Sequence, residues 1–108
     1  MTTFDKREQA YEAKLAHDEE LRFKSTVRRN RRLGLWAAEK LGKSGADAEV
    51  YATDLVATAV REQGDDAAVF RLIRADFDKA GVAQSDHQIQ RHMEELMAVA
   101  VKEVLASG

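Results

Sequence analysis

YEAKLAHDEELRFKSTVRRNRRLGLWAAEKLG, residues Tyr11 to Gly42, decides the fold of this chain. It contains no Pro, and no Gly before Gly34, so nothing in it interrupts a helix. Its charge is sorted along the chain. An acidic block, Asp18, Glu19 and Glu20, precedes six bases between Arg22 and Arg32, and the chain then turns apolar at Leu33, Leu35, Trp36 and Leu41. A helix that only fills a core does not need this order; a helix that also meets a partner has a use for it.

Outward from that stretch, the composition is that of an all-α protein. There is no Pro anywhere in the 108 residues, Gly is scarce, and Ala, Leu, Glu, Lys and Arg are abundant. No segment alternates apolar and polar residues between turn signals, so no strand is expected. The length fits one domain. With no Cys, neither a disulfide framework nor a thiolate metal site is available. No apolar run approaches the ~18 residues of a membrane span. The opening MTTFDKREQ lacks an apolar signal core, so secretion is not expected. Net charge is −2, but its distribution is uneven: residues 1–21 hold six acids and three bases, 22–32 six bases and no acid, and the rest thirteen acids and eight bases. Only a local argument for nucleic-acid binding survives that distribution.

Four helices follow from the caps and stripes. The first is predicted from Phe4 to Leu41, opened by Asp5 and Glu8 and closed by Gly42 in a left-handed cap. The second is predicted from Ala46 to Gln63, with Ser44 and Asp47 as a capping pair and Gly64 at its end. The third is predicted from Asp66 to Ala80, ended by Gly81. The fourth is predicted from Asp86 to Ala106, with Ser85 and Gln88 forming a capping box. Core stripes are expected at Ala48, Tyr51, Leu55, Ala59 and Val60; at Phe70, Ile73, Phe77 and Ala80; and at Ile89, Met93, Leu96, Met97, Ala100, Val101 and Val104. Short Gly-containing links imply packed neighbours, hence a four-helix bundle.

The first helix does not carry one stripe throughout. Phe4, Tyr11 and Leu15 form a thin seam that stops at Arg22. Phe23, Val27, Leu33 and Trp36 do not continue its line, and Phe23 and Trp36 are expected in packing. Residues from about Leu21 are expected to join the bundle. Residues 1–20 carry too little apolar surface to offset their conformational entropy, which predicts a flexible arm on a domain spanning 21–108.

Catalytic and metal signatures are missing. Gly42-Lys43-Ser44 matches the end of a phosphate-binding loop, but that pattern needs Gly where Ala37 stands and a strand where a helix is predicted. His87 and His92 are five apart, about 140° around a helix, which does not suit a shared metal. The acidic pairs Asp65–Asp66, Asp76/Asp78 and Glu94–Glu95 are expected to be solvated faces or helix N-terminal charges. No enzyme activity, metal or cofactor is therefore expected. The basic run Arg22, Lys24, Arg28, Arg29, Arg31 and Arg32 has two readings: a solvated face paired with acids of the bundle, or a phosphate-binding helix for nucleic acid. Glu20–Lys24 and Asp18–Arg22 are expected as i, i+4 pairs. His17, beside Asp18, Glu19 and Glu20, is a candidate pH-sensing residue.

TFDKREQAYEAKLAHDEELRF followed by RRNRRLGLWAAEKLG resembles the zeta-subunit family, the ATPase inhibitor subunit of bacterial F-type ATP synthases. The resemblance spans the chain and is densest from Phe4 to Leu41. It implies a four-helix bundle with a mobile N-terminal arm, and an inhibitor of ATP hydrolysis rather than an enzyme. It further implies that the arm folds as a helix into a catalytic interface between the α and β subunits of the head and reaches toward the central stalk. On that footing Phe4, Tyr11 and Leu15 are the arm's apolar anchors. Arg7, Glu8, Glu12, Lys14, Asp18, Glu19, Glu20 and Arg22 set register and association rate. A helix from Phe4 to Leu41 would be about 57 Å long, enough to reach from a docked bundle into a deep groove. The resemblance places the protein in the cytoplasm, peripheral to the inner membrane through the synthase head, as a monomer when free. It also suggests adenine nucleotide as a ligand of the bundle, for which the sequence carries no motif. The alternative left by the residues alone is an arginine-rich helical nucleic-acid-binding protein.

Overall fold

A computed structural model describes the backbone of residues 3–62 and 65–107, and side chains from residue 18 onward within those spans. The described residues form four helices and no strand: α1 (Thr3–Lys40), α2 (Gly45–Arg61), α3 (Asp66–Ala80) and α4 (Asp86–Ser107). The helix ends follow local chemistry. After α1, Gly42 takes φ 79°, and the Lys43 N–H donates to the Ala38 carbonyl at 2.8 Å, a six-to-one closure that only a left-handed residue permits cheaply. Gly81 closes α3 in the same way at φ 71°. Asp65 caps α3 by accepting from the Ala67 N–H at 2.9 Å. The capping box of α4 forms in both directions: the Ser85 N–H donates to Gln88 Oε1 at 2.8 Å, and the Gln88 N–H donates to Ser85 Oγ at 3.1 Å.

One cap differs from expectation. Ser44 stands at the N-cap of α2, yet its side chain makes no capping bond. The adjacent Gly45 has φ 55°, so the chain enters the helix through a left-handed step that turns the Ser44 hydroxyl away from the first-turn N–H groups. α2 ends at Arg61, short of the predicted Gln63; Gln63 and Gly64 lie outside the described residues.

α1 packs against α2 on one flank and α4 on the other, and α3 closes one face by packing against both α2 and α4. The core joins Leu33 and Ala37 of α1, Leu55 and Ala59 of α2, Val69, Ile73 and Phe77 of α3, and Ile89 and Met93 of α4. The α4 stripe lies inward throughout, each of its seven positions buried or half-buried. Two stripe positions are corrected: Val60 and Ala80 are exposed. Each is the last stripe residue of its helix, where the chain leaves the core and neighbours run out. The burial of α2 shifts to Ala52, whose backbone lies against Gly34; a Cβ on Gly34 would stand 2.7 Å from Ala52 Cα. Gly at 34 therefore sets how closely α1 and α2 approach.

Candidate functional site

The segment that joins the predicted arm to the bundle is where α1 meets its neighbours through charge. Its buried stripe does continue N-terminally from Leu33, but in polar residues: Ser25, Arg29 and Asn30 are all nearly inaccessible. The spacing of Ser25, Arg29, Leu33 and Ala37 is i, i+4, the same ridge as the apolar part. Expecting the whole basic run on a solvated face is therefore wrong for Arg29, which is 2% exposed. Its guanidinium donates Nη2 to Asp66 Oδ1 at 2.6 Å and Nε to Asn30 Oδ1 at 2.8 Å. Asp66, exposed in the first turn of α3 as expected, also serves as counter-charge to a buried cation.

Two more bases of the run are also committed to the bundle. Arg31 pairs with Glu49 of α2 at 2.9 Å. Arg32 grips Glu103 of α4 with two parallel bonds, Nε to Oε1 at 2.8 Å and Nη2 to Oε2. That fork holds the Glu103 carboxyl below its ordinary value and raises Arg32. Lys24 meets Glu20 at 2.9 Å, as expected. The expected partner pair is not formed: among the described residues Asp18 and Arg22 make no ion pair with each other. Four of the six bases thus tie α1 to itself, α2, α3 or α4, which weakens the nucleic-acid reading.

Other polar groups expected on solvated faces also have partners. Tyr51 Oη donates to Asp76 Oδ2 at 2.7 Å, joining α2 to α3; desolvation first, and then that bond, push the tyrosine well above its usual range. Arg74 donates to the Gln84 carbonyl at 2.6 Å, to Asp86 at 3.0 Å and to Asp78 at 2.8 Å, fastening the α3–α4 turn. His92 stacks on Trp36 with ring centroids 4.2 Å apart, and Trp36 meets Phe77 edge-to-face at 5.6 Å. Phe23, expected in packing, is 63% exposed.

The predicted arm residues divide at Asp18. Phe4, Arg7, Glu8, Tyr11, Glu12, Lys14, Leu15 and His17 have side chains outside the described residues. Glu19, Glu20 and Arg22 are exposed, and Asp18 is half-buried. Asp18 and Arg22 rim a cleft of about 600 Å³ between α1, α3 and α4, which also reaches Ser25, Asp66 and Met97. The Ser25 hydroxyl is buried without a hydrogen-bond partner. A second cleft of about 500 Å³ adjoins it, sharing Asp66 and Met97 and running to Arg29 and Met93. The structure brings Asp18 and Arg22 to the same cleft as Asp66, the partner of Arg29, a neighbourhood that sequence reading missed. The one available signal was the i, i+4 continuation of Leu33 through Arg29 to Ser25, hidden because those side chains are polar.

Among the described residues no group of His, Asp and Glu is placed to hold a metal ion, and no helix is long and apolar enough to cross a membrane. Among curated proteins, none matches this chain. A comparison with protein families matches residues 1–103 to the family described as ATPase inhibitor subunit zeta.

Proposed function

The chain belongs to the ATPase inhibitor subunit zeta family, and from that membership we propose that it inhibits ATP hydrolysis by an F-type ATP synthase through its N-terminal arm. The observation that carries this reading is the reach of the family match, which starts at residue 1 and so includes the arm together with the bundle. The arm, residues 1–20, is the effector and the domain from residue 21 its anchor. Phe4, Tyr11 and Leu15 supply apolar contacts in a catalytic interface of the head. Arg7, Glu8, Glu12, Lys14, Asp18, Glu19, Glu20 and Arg22 set register by charge. A helix seated where the head must close in each cycle stops the conformational step, and with it hydrolysis, without touching the chemistry. The chain then needs no active site of its own.

The described part of α1 supports the anchor role. From Ser25 onward it is held by a half-buried ion pair, a bidentate fork and an apolar core, so a helix leaving the bundle at Arg22 has a fixed direction. Directional exit lowers the entropy lost when an arm docks. Purified synthase head, assayed for ATP hydrolysis with the full chain and with a variant lacking residues 1–20, tests the proposal. The truncated protein should melt as the full chain does and inhibit at least ~10-fold less. Equal inhibition by the two proteins would refute the arm as effector. For His17, His17→Ala should flatten the pH dependence of inhibition between pH 6 and 8; an unaltered profile removes it as a sensor.

A further inference from the structure

The face of α1 turned away from its buried stripe forms the floor of a third, larger groove, of about 1050 Å³. Phe23, Val27 and Leu35 line the floor, Val56 of α2 forms one wall and Val104 of α4 the other. At 100° per residue the α1 residues that line the groove, Lys24, Arg28, Arg31 and Arg32 together with the floor, centre about half a turn from Arg29, Leu33 and Ala37. α3 fills the space between α2 and α4 on the buried side. On the opposite side the same two helices flank α1 and no element of the described chain lies between them. The groove is therefore a vacant helix position in the bundle's own packing pattern. From Phe23 to Leu35 the floor is about 18 Å long, room for a helix of three turns or slightly more.

Its charge names the kind of helix. Lys24, Arg28, Arg31 and Arg32 line the groove with Glu103 as the single acid. Arg32 is committed to Glu103. Lys24 and Arg31 are paired with Glu20 and Glu49, from outside the lining, in pairs whose members are all half-exposed or more. Such exposed pairs contribute at most about 1 kcal/mol, so an incoming carboxylate can exchange into them. Arg28 is exposed on the same rim. An apolar floor under a cationic rim is complementary to an amphipathic helix whose apolar ridge is flanked by Asp and Glu. The arm of this chain does not fit that description: three of its six acids, Asp18, Glu19 and Glu20, lie in the turn of α1 just before the groove and cannot fold back into it, and residues 1–17 carry three acids against three bases.

We propose that this groove is a docking site for an acidic amphipathic helix of a partner protein, separate from the arm. The proposal does not rest on the inhibitory role of the arm. The test is titration of the full, isotope-labelled chain, followed by backbone amide shifts. The probes are a designed Leu/Glu helical peptide of about 14 residues, the same pattern with Lys for Glu, ATP, and a short RNA duplex. The acidic peptide should move the amides of Phe23, Val27, Leu35, Val56 and Val104. The basic peptide should leave them in place. Arg28→Gln and Phe23→Ser, both at exposed positions, should each weaken the acidic peptide several-fold while leaving the melting temperature nearly unchanged. Equal binding of the two peptides, or shifts confined to another face, would overturn the proposal. So would groove shifts with ATP or RNA in place of the acidic peptide, which would make it a phosphate site. Shifts of the groove amides that grow with protein concentration alone would make it a self-association face and equally overturn it.

Discussion

α1 is buried along one ridge by two different chemistries. From Leu33 to Ala38 the ridge is apolar and meets Leu55, Ile73, Phe77 and Ile89. From Ser25 to Asn30 it is polar and meets the N-terminus of α3 through Arg29 and Asp66. The periodicity is the same and the consequences differ. The apolar end gains stability from area removed from water and tolerates changes of pH and salt. The polar end gains little net stability but fixes geometry, because a buried guanidinium accepts one arrangement of partners and is costly in any other. A helix built this way is anchored at one end and aimed at the other.

The largest effect should come from the apolar end. Phe77→Ala removes a fully buried ring that also meets Trp36 and should cost about 3–5 kcal/mol, read from chemical denaturation. Asp66→Ala attacks the polar end by leaving Arg29 buried with Asn30 as its remaining partner, and should cost about 3 kcal/mol. Adding Arg29→Met to that variant should recover most of the loss, whereas two independent losses would add. A double variant no more stable than Asp66→Ala would erase the distinction drawn between the ends. Gly34→Ala acts at their boundary: its Cβ would meet Ala52 Cα at 2.7 Å, and pushing α2 away should cost about 2 kcal/mol.

The smallest effect belongs to Glu103→Gln, and it is a matter of pH. The Glu103 carboxyl lies below its ordinary value of 4.5 when folded, so its contribution is complete above that pH and is lost as pH falls through the lowered value. The wild type should lose stability more steeply below about pH 4.5 than the glutamine variant, in melts run across the acid range. Parallel curves would show that the Arg32 fork contributes nothing on its own.

The sequence made the apolar end of α1 readable and left the polar end dark, for the same reason. Four helices, Gly42 and Gly81 as caps, the Ser85–Gln88 box and the α4 stripe all depend on local propensity or on apolar periodicity, which single residues report directly. Arg29 reports neither. In a run of six bases it looks like its neighbours, and only the partner supplied by α3, 37 residues away, separates it from them. Ser44 failed as a cap because the backbone at Gly45, not the side chain, decided the geometry. Phe23 was expected inside for its ring, yet it stands exposed on an open groove. For the candidate site, Glu20–Lys24 was legible as an i, i+4 pair, while the neighbourhood of Asp18 and Arg22 with Asp66 was not, since it is built across three helices.

The contact between Gly34 and Ala52 also has a mechanical meaning. With the backbones of α1 and α2 nearly touching there, α1 is a beam clamped closest at that point and held upstream of it through side chains. A sideways load on its outer end turns about that fulcrum. The first elements to take the strain are the Arg29–Asp66 pair and the Arg32–Glu103 fork, and the packed core lies behind the pivot. Ion pairs can swing and re-form, whereas a jigsaw of side chains must break to move. The lever is thus sprung at its charged section and rigid at its root, so a pull on the arm can be absorbed without opening the fold.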